Sequence, residues 1–293
     1  MKDFLIGTAT GNFKTLYGDY KQFEKIKECG FDSVDLGLHS YQNDPDFFLL
    51  KSEAEIKNFA LSLKNCANDN GLIIGQTHAP FNFPPERFDD RDLVDMEINA
   101  IKATSFMGSK YIIMHSALSA DPFTHTQEDW EINIRFYKKM IPALRDYGVK
   151  IAIENLFTWN PIKKQYYANN VSSASQINKM IEELGSDCFC ACVDAGHALL
   201  GGQDPSGMVR ALKENVGVLH LQDNNGVDDL HLLPGLGYID WENFLSALKE
   251  IGYKGVLNFE IEFFRVGQNE KAVEKYAACA AEVGRSFAKK LLQ

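Results

Sequence analysis

The feature of this sequence that most restricts its fold is a repeat of two kinds of segment. A short apolar, β-branched run is followed by a longer amphipathic stretch, and the pair occurs eight times in 293 residues. Runs this short and this apolar are typical of strands buried on both faces, as in a parallel sheet. The predicted strands cover residues 4–9, 33–38, 72–78, 110–115, 150–155, 189–194, 216–222 and 255–262.

The segments between these runs have the spacing of amphipathic helices. Phe244, Leu245 and Leu248 share one face of such a segment, and Asp240 precedes it as a capping residue. Eight alternating strands and helices favour a closed (β/α)8 barrel over an open doubly wound sheet. A dinucleotide-binding sheet would carry glycines spaced G-x-G-x-x-G after its first strand, and residues 7–11 lack that spacing. We therefore predict a single α/β domain, a TIM barrel, over residues 1–293.

Composition and charge narrow the classes of function. Hydrophobic residues make up 45% of the chain and charged residues 24%, which is ordinary for a globular protein with its own core. No apolar run approaches the ~20 residues that span a bilayer, and the start of the chain does not resemble a signal peptide. We therefore expect a cytoplasmic protein with no membrane partner. The net charge of −10 opposes nucleic acid as a partner without excluding it.

Polar side chains stand at or just beyond the carboxyl ends of six consecutive predicted strands. In a barrel these ends meet on one face, where such folds carry their chemistry. Carboxylates and imidazoles crowded together there require a cation among them, and the mixture suits zinc, manganese, iron or cobalt rather than calcium. These polar residues are His78, His115, Glu154, Asn155, Asp194, His197, His220, Asp223, Asp229, His231, Glu260 and Glu262.

Each of these residues also has a structural interpretation. A single histidine at a strand end, such as His39 or His125, is more often a hydrogen-bonded surface or loop residue, and we assign those two no role. Glu262 lies farther out than Glu260, so we interpret it as solvated or as supporting the site. Packing alone does not account for four strands that each end in a ligand-type residue. Those four residues are Glu154, Asp194, His220 and Glu260.

Five segments in this order resemble one family of barrels. They are residues 151–155 (IAIEN), 193–198 (VDAGHA), 219–224 (LHLQDN), 231–241 (HLLPGLGYIDW) and 252–255 (GYKG), the last leading to Glu260. The chain resembles the sugar phosphate isomerase/epimerase family, the xylose isomerase-like TIM barrels that also include the endonuclease IV type of DNA repair enzyme. The resemblance covers most of the chain and indicates the superfamily more specifically than any substrate.

The resemblance implies a reaction and the residues that perform it. In the sugar epimerases of this family, one divalent ion is held by a Glu, an Asp, a His and a Glu, which match Glu154, Asp194, His220 and Glu260. The two glutamates are then the catalytic acid and base, and His197 contacts the substrate. A metal that polarises the sugar oxygens stabilises an enediolate, while a carboxylate on each face removes and returns the proton.

The same resemblance supports a second hypothesis, because the chain has more ligand-type residues than one ion needs. With His78, His115, His197, Asp229 and His231, all nine positions of the three-zinc cluster of endonuclease IV have a counterpart. We therefore predict one to three ions of Zn, Mn or Co, and the alternative is a zinc-dependent phosphodiester hydrolase acting at abasic sites. Residues 8–12 and 115–117 depart from the repair enzymes, and the segment 39–55 is acidic and without arginines, so we favour a sugar substrate.

The loops leave the identity of the sugar open. Trp159, in the long segment after the fifth strand, is a candidate to wall the sugar, although its aromatic neighbours equally suit a contact with a second subunit of a homo-oligomer. Arg265, just past the last strand, is a candidate to bind a substrate phosphate, and a solvated cation at a helix start is the structural alternative. A third hypothesis is a barrel that binds a metal or a sugar without turnover.

Overall fold

The computed structural model describes residues 4–119, 126–262 and 269–293, and Arg265 and His125 lie outside these ranges. Its strands are β1 (Ile6–Ala9), β2 (Ser33–Gly37), β3 (Ile73–His78), β4 (Tyr111–Met114), β5 (Lys150–Glu154), β6 (Phe157–Asn160), β7 (Gln165–Ala168), β8 (Phe189–Asp194), β9 (Val216–His220) and β10 (Leu257–Phe259). Its helices are α1 (Gly11–Glu28), α2 (Glu53–Asp69), α3 (Arg91–Met107), α4 (Thr126–Tyr147), α5 (Ala174–Leu184), α6 (Ala195–Leu200), α7 (Pro205–Leu212), α8 (Trp241–Glu250) and α9 (Glu270–Leu292).

Eight of the strands form one parallel sheet in the order β10-β1-β2-β3-β4-β5-β8-β9. The sheet closes on itself through a bridge between Leu221 and Phe259. At this bridge the amide of Leu221 donates to the carbonyl of Asn258 at 2.8 Å, and the amide of Glu260 donates to the carbonyl of Leu221 at 3.2 Å. The predicted (β/α)8 barrel is therefore confirmed, and each of the eight predicted runs contains one barrel strand.

The apolar residues form two clusters, one on each side of the barrel wall. The larger cluster lies between the strands and the helices, and the smaller one consists of Ile113, Ala152, Cys190, Cys192 and Val218 with Tyr111 against it. Because side chains alternate along a strand, the smaller cluster lies on the inner face of the wall. The inner face then continues, two residues further along three of these strands, into ligand-type side chains: Glu154, Asp194 and His220. The barrel interior is thus apolar below and polar at its carboxyl end.

The long segment after β5 is partly regular. It folds into an antiparallel hairpin, in which Phe157 of β6 pairs with Ala168 of β7 and Trp159 pairs with Tyr166. Aromatic residues fit the pleated surface of such a ribbon, and this preference outweighs the turn-forming residues at its tip. The hairpin follows Glu154 directly, so it stands beside the carboxyl end of the barrel.

Within the described ranges, no helix combines the length and the apolar character that crossing a bilayer requires.

Candidate metal centre

The structure brings all nine predicted ligand residues together at the carboxyl end of the barrel. They form three groups, and within each group one potential ligand atom per residue lies within 4.8 Å of the others; a fourth such group joins Cys192 to Glu154 and His220. What we call the central group consists of Glu154, Asp194, His220 and Glu260. One outer group consists of His78 and His115 with the shared Glu154, and the other consists of His197, Asp229 and His231.

Glu154 joins the central group to both outer groups, because its two oxygens face different partners. Its Oε2 lies 2.9 Å from Nε2 of His115 and 3.6 Å from Nε2 of His78. Its Oε1 lies 3.1 Å from Nδ1 of His220 and 3.3 Å from Nδ1 of His197. A carboxylate placed in this way can bind one ion or bridge two.

His220 is oriented by a residue that sequence reasoning missed. Its Nε2 is hydrogen-bonded to Oδ2 of Asp35 at 2.9 Å, which turns Nδ1 towards Glu154 and Glu260. Asp35 is 2% exposed in the middle of β2 and also accepts a hydrogen bond from Gln76 at 2.9 Å. A carboxylate behind a metal-binding histidine fixes its ring and raises its basicity. An acidic residue inside a run of buried strand residues was the available signal.

Asp194 is held by the start of α6. Its Oδ1 accepts hydrogen bonds from the amide of His197 at 2.6 Å and from Nε2 of Gln222 at 3.1 Å. Asp194 is thus the N-cap of a short helix, and the Asp-Ala-Gly-His sequence satisfies one of its oxygens locally. Gly196 in this sequence lies so close to the Gln222 side chain that a Cβ would collide with it. The other oxygen, Oδ2, is left facing the central group.

Asn155 sets the relative position of β5 and β8. Its side chain donates to the carbonyl of Asp194 and accepts from the amide of Asp194, both at 2.8 Å. Its own carbonyl lies 3.2 Å from Nδ1 of His197. One residue therefore fixes the distance between Glu154, its chain neighbour, and the Asp194–His197 pair.

Asp223, which we grouped with the polar residues at the strand ends, has a structural role instead. Both of its oxygens are used inside the loop that follows β9: Oδ1 accepts from the amide of Ile239 at 3.2 Å and Oδ2 accepts from Nε1 of Trp241 at 2.8 Å. That loop carries Asp229 and His231, whose Oδ2 and Nε2 lie 3.2 Å apart. Asp223 thus shapes the segment that presents one outer group.

The outer group on the β3 and β4 side adjoins His39, a histidine to which we assigned no role. His78 directs Nδ1 to the carbonyl of Ala79 at 3.0 Å, so that Nε2 faces Glu154. The ring of His39 packs on that of His78 with a centroid distance of 5.1 Å. His39 also lines a cavity of about 90 Å³, together with His78, His231 and Glu260. Burial holds the pKa of His39 down at about 3, so this ring is neutral beside the charged groups.

The electrostatics of the centre follow from the burial of opposite charges. Burial by itself raises the pKa of Glu154, but the charge of His220 and hydrogen bonds from other histidines bring it well below its usual range. Burial raises the pKa of Asp194 to about 7 against the attraction of His197. Burial would lower the pKa of His197, but Asp194 and Glu154 raise it to about 9. Without a metal, protonated imidazoles therefore provide the positive charge.

Unsatisfied oxygens indicate that a cation fits this centre. Asp194 Oδ2 and Asp229 Oδ1 are buried, and neither has a hydrogen-bond partner among the residues that the structure describes. The buried Oε2 of Glu260 faces Nδ1 of His220 at 3.0 Å. Buried carboxylate oxygens without partners are costly unless they bind a cation. The mixture of imidazole and carboxylate donors suits zinc, manganese or cobalt.

The predicted substrate-binding residues lie at different distances from this centre. His197 is part of it, and its ring contacts Phe157 of the hairpin with centroids 4.9 Å apart. Tyr166 packs on Phe157 at 4.5 Å, and Trp159 packs on Tyr166 at 4.9 Å. Trp159 is therefore two rings away from His197 and is 44% exposed. Phe157 is the aromatic residue of the hairpin that touches the centre, and its position just after a strand end was the signal for it.

The fold and the site together define a class of barrel, and a family model identifies it. Residues 23–282 match the model of the xylose isomerase-like TIM barrels, so the chain belongs to that family. An uncharacterized protein of Methanocaldococcus jannaschii is 28% identical over 207 residues, which cover 68% of each chain. A D-psicose 3-epimerase of Enterocloster bolteae is 19% identical over 258 residues, which cover 84% of this chain and 78% of the relative.

A solved structure has the same fold. The D-psicose 3-epimerase of Clostridium cellulolyticum, crystallised with D-tagatose, superposes with a TM-score of 0.74 at 18% sequence identity. The alignment covers 97% of this chain and 99% of that chain.

Proposed function

We propose that the protein is a divalent-metal-dependent isomerase or epimerase of a small sugar, sugar phosphate or related hydroxy-carbonyl compound. The observation that supports this best is the central group. Glu154 and Glu260 come from two different strands and approach the same nitrogen of His220, at 3.1 and 3.0 Å. Two carboxylates that flank one position are the arrangement that moving a proton between two faces of a carbon requires.

Each residue of the centre has a separate role in the proposed reaction. A divalent ion bound by Glu154, Asp194, His220 and Glu260 would supply positive charge beside the sugar oxygens, which makes the neighbouring C–H acidic enough to lose its proton. The histidine charges keep the pKa of both Glu154 and Glu260 below the usual range, so each carboxylate is ionised and free to accept a proton. One glutamate removes the proton from one face of the carbon, and the other, after it has taken up a proton from solvent, returns it on the opposite face; His197 and the adjoining Phe157 bound the space beside them.

The family membership and the relatives support this reaction. Among the relatives are enzymes named D-psicose 3-epimerase, which align over most of this chain. A ketohexose is therefore a suitable first substrate class to test.

The test is solvent exchange at the carbon next to the carbonyl. The metal-replete protein would be incubated in D2O with D-psicose, D-fructose, D-tagatose and their phosphates, and NMR would record deuterium and the products. We expect deuterium incorporation with at least one sugar, its loss after chelation, and its return with Mn²⁺ or Co²⁺. Unchanged sugars, with metal bound and the fold intact, would exclude the proposal for these substrates.

A phosphodiester hydrolase acting at abasic sites is the second candidate, and the outer groups favour it. If only the central group binds an ion, one oxygen of Glu154 serves as a ligand and the other stays free to act as a base. If the His78–His115 pair also binds an ion through Glu154 Oε2, neither oxygen is free to act as a base. Clustered ions instead activate water and stabilise the leaving oxygen. The occupancy of the outer groups therefore distinguishes the two chemistries.

An endonuclease assay tests this second candidate directly. A duplex oligonucleotide with one abasic site would be added to the metal-replete protein, with an undamaged duplex as the control. Cleavage on the 5′ side of the abasic site would establish the hydrolase, whereas an intact duplex together with sugar exchange would establish the isomerase.

A further inference from the structure

A second cavity adjoins the metal centre on the side of His115. It has a volume of about 150 Å³ and is lined in part by Phe81, His115 and Ser116. The ring of Phe81 lies 4.6 Å from that of His115, whose Nε2 lies 2.9 Å from Glu154. His115 therefore lies between the central group and this cavity.

The cavity contains one buried acid that the proposed reaction does not use. Glu97, on the inner side of α3, is 2% exposed and lines the cavity. Its Oε2 is fully buried and has no hydrogen-bond partner in the described part of the chain. Its surroundings include the rings of Phe83, Phe88 and Phe136. A buried carboxyl oxygen without a partner in apolar surroundings is destabilising, so packing alone would favour an apolar side chain here.

The chemistry of Glu97 follows from this burial. Burial raises the pKa of Glu97 well above its usual value, which keeps the group protonated at neutral pH. A protonated carboxyl both donates and accepts a hydrogen bond, as a hydroxyl group does. It is therefore matched to a partner that can also do both.

The lining of the cavity restricts the ligand further. Among the described residues that form its wall there is no lysine or arginine, so nothing there would neutralise a phosphate or a carboxylate. Aromatic rings cover the C–H faces of polyols, and the volume exceeds the ~10–15 Å³ that one water requires. The cavity suits a short, uncharged group that carries hydroxyls.

We propose that this cavity is a subsite for an uncharged, hydroxyl-bearing arm of the substrate, and that Glu97 is its hydrogen-bonding partner. The inference uses the proposed function only to identify the rest of that substrate as a sugar. It makes the proposed substrate class more specific, because the arm of the substrate that enters this cavity is an unphosphorylated polyol.

The kinetic test compares Glu97→Met with Glu97→Gln in the metal-loaded protein. Met has nearly the shape of Glu without hydrogen-bonding groups, and Gln keeps a donor and an acceptor. With D-psicose, D-fructose and D-tagatose, we expect Glu97→Met to raise KM about tenfold with kcat within about threefold, and Glu97→Gln to change KM less than threefold. Asp95→Asn, at an exposed position of the same helix, is the matched control. An unchanged KM, or an equal fall in kcat for both Glu97 variants, would overturn the proposal.

A second measurement does not depend on turnover. Glycerol represents the polyol arm and 1-propanol an apolar arm of the same length, and saturation-transfer NMR measures the binding of each. We expect glycerol to bind the native protein, Glu97→Gln and Asp95→Asn, and to bind Glu97→Met at least tenfold more weakly, with propanol favoured instead. Equal glycerol binding by Glu97→Met, or none by the native protein, refutes the subsite even if sugars are turned over. Absence of turnover with the expected glycerol pattern refutes the sugar reaction and leaves the subsite supported.

A folding control completes the design. Because Glu97→Met removes an unsatisfied buried acid, we expect its thermal midpoint to equal or exceed that of the native protein. A lower midpoint would mean that Glu97 contributes to the fold, and the subsite would then be rejected.

Discussion

The central group and the outer groups of the metal centre are built differently. The residues of the central group belong to strands of the barrel wall or follow them directly. Two of them are oriented by hydrogen bonds on the side away from the group: His220 to Asp35, and Asp194 to the first turn of α6. In the outer groups, His78 and His231 are oriented by backbone carbonyls, and Asp229 and His231 stand on a loop. Strand register thus fixes the central positions, which either chemistry needs. Under the proposed function, the occupancy of the outer positions distinguishes one ion from several.

The largest effect is expected for Glu260→Gln. We expect solvent exchange to fall by about 10³-fold or more, because the variant loses a base and a ligand of the central group. Deuterium incorporation into the responding sugar would be measured beside metal content.

Glu262→Gln is the control for that variant, since Glu262 is exposed, two residues away, and in none of the three groups. Its kcat should change less than about threefold, because Glu262 lines the same small cavity as Glu260 but is not one of the candidate ligands. Full turnover by Glu260→Gln with metal still bound would break the assignment of the two glutamates.

A smaller effect is expected for Asp35→Asn. An amide at this position carries no negative charge to attract the His220 ring. Removing a carboxylate that is hydrogen-bonded to a metal-binding histidine typically weakens metal binding about 10–100-fold. Competition with a chromogenic chelator would measure the affinity, and kcat at saturating metal should recover to within about tenfold of the native value. Unaltered affinity would show that strand register alone positions His220.

His115→Asn separates the two chemistries. If the central group performs the reaction, we expect the variant to bind one ion fewer under saturating zinc and to keep sugar exchange within about tenfold, since His115 lies outside the set that carries the acid and base. Elemental analysis and the exchange assay measure the two quantities on the same sample. Loss of exchange parallel to loss of the ion would make the outer group part of the catalytic unit.

The smallest effect is a pH dependence of the metal-free protein. The pKa of His197 is raised from 6.5 to about 9, so its stabilisation is complete below pH 6.5 and is lost as pH rises to 9. The pKa of Asp194 is raised from 3.8 to about 7, so its contribution to stability is also lost as pH rises, between pH 3.8 and 7. We expect the thermal midpoint to fall by about 2–4 °C between pH 6.5 and 9.

Two comparisons sharpen that measurement. His197→Asn should remove part of the fall, because the pKa values of His220 and His231 are also raised well above 6.5 and act in the same direction. Metal-loaded protein should show no fall, because deprotonated ligands bind metal more tightly as pH rises. A midpoint of the metal-free native protein that rises over this range would contradict the assignment of charge to His197.

The sequence predicted those parts of the molecule that depend on local periodicity. The barrel followed from alternating runs, and most of the candidate ligands were noticed because they stand at or just beyond the end of such a run, whereas Asp229 and His231 lie on the loop after β9. Asp35 was not found because its partner His220 lies 185 residues away and only barrel closure joins them. Glu97 resembled an ordinary helix residue, since helical spacing does not reveal a cavity on its buried side. The hairpin after β5 is stabilised by pairs between its two strands, and the periodicity of a single segment does not show which strand will pair with it.

Asp194 has a further consequence for how such a chain can diverge. The residue starts α6 with one oxygen and faces the central group with the other. A descendant that lost the metal would still need a cap at this position, and Ser or Asn could provide it while abandoning the ligand. Under the proposed function, loss of metal dependence is therefore open to a single codon change that leaves the scaffold intact. Barrels of this kind with Asn or Ser before Ala-Gly-His would mark lineages that have taken that route.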